Sequence, residues 1–166
     1  MQKARSYGGY AYDSLLGFVI SGGMDDDDNP IAEVETTQDG VTFSKIASLP
    51  IEVKNHCLAS LNNGGDLLVA GGHDGDYHLA NAYVYRKSKD AWETVESMHT
   101  PRDEVICGPV RSVPDGTVEE VVVTGCTGDL KWYLYAERSP MVEIFNLELE
   151  RWRAGKSKII QTQGPS

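Results

Sequence analysis

Three short apolar runs recur along the chain, and each stops at a glycine pair or its remnant. They are residues 18–23 (FVISGG), 67–72 (LLVAGG) and 121–126 (VVVTGC). Runs of this length, rich in β-branched residues and bounded by turn residues, are typical of buried β-strands. No segment has the apolar period of a long amphipathic helix. The pattern therefore predicts an all-β chain built from a repeated unit.

A pair of marker residues follows each run at a similar distance. Six residues separate the two markers of every pair, and twelve lie between the glycine pair and the first marker in the first two units. In the third unit that interval is six residues longer. A repeat of about fifty residues with turn signals between its apolar runs predicts four antiparallel strands per unit. The marker pairs are Thr36 and Phe43, Tyr85 and Trp92, and Phe145 and Trp152.

The strands can be placed to within a few residues. We assign residues 1–53, 54–101 and 102–158 to three successive units and residues 159–166 to a tail or the start of a further unit. The predicted strands lie near 8–12, 17–21, 32–37 and 41–46, then 56–61, 66–70, 81–85 and 91–95, then 105–111, 119–124, 141–145 and 150–153.

A glycine pair that ends the second strand, followed by an aromatic residue and, six residues later, a tryptophan, resembles the kelch repeat. Segments 34–36, 84–85 and 142–145 resemble its third strand, and 97–102 (SMHTPR) resembles its link between repeats. The resemblance spans about residues 5–155 and implies a kelch-type β-propeller of about three four-stranded antiparallel blades in an incomplete ring. The residues assigned to the structural motif are Gly22, Gly23, Gly71, Gly72, Gly125, Tyr85, Trp92, Phe145 and Trp152.

Three blades leave two flanks uncovered, because each repeat buries its faces only by stacking on a neighbour. We therefore expect the chain to be a fragment of a larger kelch protein. A homodimer that joins two half-rings into six blades is the alternative.

Charge and cysteine content limit which classes of partner and which cellular compartment we expect. The net charge of −10 argues against nucleic acids and acidic membranes. Cys57, Cys107 and Cys126 are odd in number and far apart, so we expect buried free thiols. Together with the lack of a signal peptide or glycosylation sequon, they favour a cytoplasmic protein.

The loops between the second and third strands are the candidate binding surface, because they share one rim and differ in chemistry. The first loop is acidic around Asp26, and a solvated turn is favoured there over a site for a basic peptide or for calcium. The second loop holds two histidines and two aspartates, where a turn is favoured over a metal site. The third carries the residue types found in interface hot spots, although packing of Trp132 and Tyr135 back onto their own blade is favoured over a contact site. The candidate residues are Asp26, His73, Asp74, Tyr77, Trp132, Tyr133, Tyr135 and Arg138.

The resemblance implies a protein-interaction scaffold, for example a substrate receptor of a ubiquitin ligase or a cytoskeletal adaptor. No cofactor or catalytic residue is predicted. A propeller enzyme, such as a copper oxidase or a sugar-processing enzyme, is the first alternative. His56 and Tyr7 occupy equivalent positions and are the available ligands, although packing in the first strand is the favoured role for both. The second alternative is a truncated product without independent function.

Overall fold

The computed structural model describes residues 4–61, 64–111, 118–126 and 142–155. Twelve strands form three four-stranded antiparallel sheets, and within these ranges there is no helix. Accordingly, no helix of the described residues is long and apolar enough to span a membrane. The strands are β1 (Gly9–Asp13), β2 (Gly17–Ser21), β3 (Val34–Thr37), β4 (Ser44–Ile46), β5 (Cys57–Leu61), β6 (Asp66–Ala70), β7 (Ala82–Arg86), β8 (Ala91–Thr94), β9 (Asp103–Arg111), β10 (Val118–Cys126), β11 (Val142–Asn146) and β12 (Arg151–Ala154).

Each sheet is a meander in which consecutive strands pair, as expected for a propeller blade. Strands β1–β4 form blade 1, β5–β8 form blade 2 and β9–β12 form blade 3. The first strands of the blades, β1, β5 and β9, contact one another in that order, so they are the innermost strands. The prediction of three antiparallel four-stranded blades is confirmed, and the three sheets do not close a ring.

The strand register corrects one marker of the first repeat. Leu67 pairs with Tyr85 and Val121 pairs with Phe145, each four residues before the glycine that ends the apolar run. In blade 1 the corresponding residue is Phe18, which pairs with Thr37 and not with Thr36. The equal spacing in the sequence is a coincidence, because the loop after β2 (22–33) is one residue longer than the loop after β6 (71–81). The connection between the third and fourth strands is one residue shorter in blade 1, as shown by the pairing of Thr36 with Ser44 and of Val84 with Glu93.

Two apolar clusters hold neighbouring blades together. Val19 and Val34 of blade 1 pack with Leu67 and Val69 of blade 2. The opposite face of blade 2 packs on blade 3, where Val121, Val123, Phe145 and Trp152 belong to the second cluster. Blade 2 is therefore buried on both faces, which explains why its inner strand β5 is buried along its whole length.

The marker aromatics anchor the linkers between blades. The indole Nε1 of Trp92 donates to the carbonyl of Ala47, and that of Trp152 donates to the carbonyl of Glu96, at 2.9 and 2.7 Å. Both acceptors lie in the linker that leads into the blade carrying the tryptophan. The aromatic ring thus fills the inter-blade core while its polar edge fixes the chain passing over it.

The glycine pair of blade 2 lies against backbone on both sides. Gly71 and Gly72 have φ values of 66° and 100°. A Cβ at Gly72 would lie 2.5 Å from the carbonyl oxygen of Lys54, closer than real atoms approach. In blade 3 the second glycine is replaced by Cys126, which pairs with Asp103, so β10 continues past the point where β6 ends.

The expectation of three free thiols is wrong for two of them. Cys57 on β5 and Cys107 on β9 form a disulfide with a Cα–Cα distance of 5.6 Å. Their separation of 50 residues equals about one repeat, so both fall on innermost strands of adjacent blades. Cys126 is a free, exposed cysteine rather than a buried one.

The outer faces of blades 1 and 3 are not covered by a neighbouring blade. Tyr10, Tyr12 and Phe18 are 51%, 71% and 42% exposed on blade 1, and Ile106 and Val110 are exposed on blade 3. The corresponding faces of blade 2 are buried. Coverage of these flanks by a second copy or by further blades stays a prediction, as do the domain boundaries. The tail from residue 159 lies outside the described residues.

Candidate binding rim on the loop face

The loops after β2 and β6 lie side by side at one end of the blades. A Cβ added at Gly75 in the second loop would lie 3.6 Å from Cγ of Pro30 in the first loop. On the other side, Nδ1 of His78 lies 3.8 Å from a carboxylate oxygen of Asp103 at the start of β9. The surface therefore runs continuously across all three blades.

The first loop uses one aspartate to build its turn and leaves the others in solvent. Oδ1 of Asp25 accepts hydrogen bonds from the backbone N–H groups of Asp27 and Asn29, at 3.1 and 3.0 Å. Asp28 has a φ of 63°, a conformation that aspartate tolerates better than most residues. Asp26, Asp27 and Asp28 are exposed. This is the solvated acidic turn that the sequence favours.

The second loop is organised in the same way around Asp74. Its Oδ1 accepts from the N–H groups of Asp76 and Tyr77, at 2.9 and 2.7 Å. Partial burial opposes ionisation, but these two hydrogen bonds and the nearby His73 together lower the pKa of Asp74 below its usual range. Tyr77 is left 71% exposed at the tip of the loop.

Neither loop has the geometry of a metal site. Nδ1 of His73 accepts a hydrogen bond from the N–H of Gly75, and its ring lies edge-on to that of His78. The ligand atoms are thus engaged in turns and ring packing rather than converging on one point. In the parts of the chain that the structure describes, no group of three or more His, Cys, Asp or Glu residues is arranged to hold a metal ion.

Residues just before or at the start of the innermost strands add to this surface, and the sequence did not indicate Glu104 among them. Tyr7, Asn55 and Glu104 all have positive φ, and the N–H of Asn55 donates to the carbonyl of Tyr7 at 2.8 Å. Tyr7 therefore corresponds to Asn55 in the repeat, not to His56. Tyr7 is 61% exposed, so its predicted packing role is wrong, and Glu104, the second residue of β9, is also exposed.

His56, by contrast, is a packing residue. It is 4% exposed, and its Nε2 lies 2.7 Å from Oγ of Ser21 across the interface between blades 1 and 2. Its ring fills space left by missing side chains, since a Cβ at Gly9 would lie 2.6 Å from Nε2 and one at Gly22 would lie 2.7 Å from Cε1. Burial lowers the pKa of His56 to about 4, so the ring is neutral at physiological pH.

We call the exposed surface made by these loops and turns the acidic rim. It combines six carboxylates with two tyrosines, and Lys54 is a nearby cation. Trp132, Tyr133, Tyr135 and Arg138, predicted for the third loop, lie outside the described residues. The members of the acidic rim are Tyr7, Asp26, Asp27, Asp28, Asp74, Asp76, Tyr77 and Glu104.

A shallow cavity of about 330 Å³ lies at the opposite end of blades 1 and 2. Leu15 and Leu61 form its apolar side, and Asp66, Lys87 and Ser88 its polar side. Oδ1 of Asp66 is already bonded to the N–H of Lys87. The cavity therefore presents no convergent set of acid, base and nucleophile.

The comparisons with known proteins agree with this architecture. A family model for the kelch motif matches residues 55–99, which cover all four strands of blade 2 and most of the linker into blade 3. A search of curated proteins finds no significant match. Blades 1 and 3 repeat the strand order of the matched segment and the position of its glycines. Blade 2 is therefore similar to the kelch motif in sequence, and blades 1 and 3 share its architecture.

Proposed function

We propose that the chain is a protein-binding module that engages its partner through the acidic rim. The observation that carries this proposal is the contact between the loops of adjacent blades, which joins their exposed side chains into one surface. Loops held on a rigid scaffold are where binding residues concentrate in folds of this kind.

The loops are held in place before any partner arrives. Lys54 and His73 exchange two backbone hydrogen bonds of 3.0 and 2.9 Å, and the N–H of Gly23 donates to the carbonyl of Val53 at 2.8 Å. Both loops are therefore fastened to the linker between blades 1 and 2. A preorganised surface loses less conformational entropy on binding, which favours affinity.

The chemistry of the rim favours a partner segment rich in lysine and arginine. Six exposed carboxylates attract cationic side chains and speed their encounter at low salt. Tyr7 and Tyr77 add exposed aromatic surface, onto which a guanidinium group can stack. A basic substrate and a basic segment of a cytoskeletal protein would both suit this surface. The proposal therefore includes both roles, substrate receptor of a ubiquitin ligase and cytoskeletal adaptor.

A titration with charged peptides tests the proposal. The probe is a fluorescein-labelled peptide of alternating lysine and serine, with a glutamate–serine peptide as its counterpart, followed by fluorescence anisotropy. We expect binding of the basic peptide alone, weakening as salt rises. Removing two rim charges with Asp26→Asn and Asp74→Asn should weaken it about tenfold, since each exposed pair contributes up to about 1 kcal/mol.

Glu148→Gln is the matched control for each single rim substitution, because it also removes one exposed carboxylate, here from the β11–β12 turn. It should leave the affinity unchanged. Equal weakening by Glu148→Gln and by the rim variants would mean that only net charge matters, and the rim would lose its role.

The two alternative functions make different predictions. A copper oxidase fragment would bind copper stoichiometrically and turn over a substrate, which metal analysis and an oxidase assay would detect. A truncated product without function would fail to give the cooperative unfolding and β-type circular dichroism that a folded module shows.

A further inference from the structure

The disulfide joins the innermost strands of two blades that are otherwise held by packing and hydrogen bonds. We propose that the Cys57–Cys107 bond is a lasting covalent cross-link that keeps blade 3 docked on blade 2, and that the protein matures and acts in an oxidising compartment. This inference does not depend on the acidic rim.

The repeat places these two positions in contact at every blade interface. Between blades 1 and 2 the equivalent residues are Gly9 and Leu58, and a Cβ added at Gly9 would lie 2.9 Å from Cβ of Leu58. Between blades 2 and 3 the same pair of positions holds Cys57 and Cys107, with Cα atoms 5.6 Å apart. That separation is the usual one for a disulfide, so the bond forms without displacing either strand.

The surroundings of the bond favour its persistence. Cys57 is 2% exposed within the apolar cluster between the blades, and Cys107 packs partly buried against the same cluster. A thiolate must reach a sulfur atom to reduce a disulfide, and the cluster restricts this access. Cross-links of this type persist in secreted and extracellular proteins and are rare where glutathione keeps thiols reduced. This proposal therefore names a different compartment from the cytoplasm expected from cysteine number, and that expectation stays a prediction.

Formation of the bond requires a named oxidant. An oxidised dithiol protein or oxidised glutathione accepts the two electrons: the thiolate of one cysteine attacks its disulfide, and the second cysteine then displaces the leaving thiol. The two cysteines lose two protons and two electrons and the oxidant is released as thiols. Cys126, exposed and unpaired, takes no part and serves as an internal reference.

The first test counts free thiols in the full chain produced through an oxidising secretory route. The denatured protein is treated with iodoacetamide before or after reduction, and its intact mass is measured. We expect one modified cysteine before reduction and three after it, with Cys57 and Cys107 recovered in one cross-linked peptide. Three modified cysteines before reduction would overturn the proposal.

The second test measures what the bond contributes to stability. Cys57→Ala and Cys107→Ala are compared with Cys126→Ala in urea unfolding without reductant. Opening a loop of 50 residues should raise the unfolding equilibrium constant about a thousandfold in either of the first two variants. Reduced wild-type protein should match them, and Cys126→Ala should match the oxidised wild type. Wild-type protein that unfolds at one urea concentration with and without reductant would contradict the cross-link role.

Discussion

A buried ion pair at the base of blade 3 gives the sharpest test of how the repeats are held together. Arg102, at the end of the linker, and Glu143, on β11, are both 0% exposed. Nε and Nη2 of Arg102 each lie 3.4 Å from one carboxylate oxygen. The carboxylate also accepts from the N–H groups of His99 and Thr100, at 2.7 and 3.2 Å. Arg102→Val would leave that carboxylate buried without its guanidinium partner, with Nδ1 of His99 at 2.8 Å as its remaining ring contact.

The expected loss is large because a single buried charge remains. Removing one partner of a buried ion pair costs about 3 to 5 kcal/mol, most of it the penalty of the unpaired charge. Replacing both partners by well-packed side chains of similar volume is often close to neutral. The two changes should therefore be strongly coupled, and the double variant should be more stable than Arg102→Val alone.

Blade 2 shows which side chains fill the same positions without an ion pair. At the positions of Arg102 and Glu143 it carries Val53 and Tyr83, 0% and 5% exposed in one apolar cluster. At the position of His99 it carries Pro50, which has no N–H to satisfy. Arg102→Val with Glu143→Tyr reproduces the pair, and adding His99→Pro removes one donor that would otherwise lose its acceptor.

The assay is a double-mutant cycle by urea unfolding, with all four proteins followed by tryptophan fluorescence. We expect a coupling energy of about 2 kcal/mol or more in favour of the double variant. A further recovery of about 1 kcal/mol should follow from the proline. If the free-energy losses of the two single variants simply add, the two sites are not coupled. That result would refute the view that the Val–Tyr pair of blade 2 can replace the Arg–Glu pair of blade 3.

Three further experiments test the contacts between blades. Trp152→Ala should cost about 3 to 5 kcal/mol in urea unfolding and Trp92→Ala less, because the first ring is 6% exposed and the second half-buried; the reverse order would contradict the core assignment. Neutral His56 resists protonation when folded, so it contributes full stability above its unfolded pKa of 6.5 and loses it as pH falls to about 4. That loss is at most about 3 kcal/mol, and His56→Gln should flatten this part of the pH profile; parallel profiles would be inconsistent with it. Asp13→Ala should cost about 3 kcal/mol, because the hydroxyl of Ser60 and three backbone N–H groups lose their acceptor, and Ser60→Ala should cost clearly less.

The repeat itself could be predicted from the sequence because its signals are local. A buried strand that ends at glycine and a tryptophan in the fourth strand each follow from short-range rules. All twelve predicted strands overlap observed ones, with bounds that differ by at most three residues. The prediction for blade 1 took Thr36 as the marker instead of Thr37. The extra residue in the loop after β2 was hidden by a connection to β4 that is one residue shorter. Counting residues cannot separate two such changes, whereas pairing in the sheet does.

Contacts between repeats were harder to predict, because they depend on which residues share a face. Cys57 and Cys107 looked unrelated when they were counted as an odd set, although their separation of 50 residues matches the repeat and was the available signal. The pairs Arg5–Glu35 and Arg102–Glu143 likewise join a linker to the third strand of its blade. Once a period is recognised, each residue should be compared with its counterpart one repeat away before its chemistry is interpreted.

The acidic rim illustrates the same limit in a functional surface. Its loop aspartates were visible in the sequence as turn residues, whereas Tyr7 and Glu104 lie outside the loops, Tyr7 just before β1 and Glu104 at the start of β9. The N–H of Asn55 donates to the carbonyl of Tyr7 at 2.8 Å, and the N–H of Val105 donates to the carbonyl of Asn55 at 2.9 Å. These two hydrogen bonds link the three blades near the starts of their innermost strands. A partner that binds the rim would therefore contact residues fixed by the inter-blade contacts. It follows that disrupting the blade 2–blade 3 cross-link should weaken binding at Glu104 more than at Asp26, which lies on blade 1.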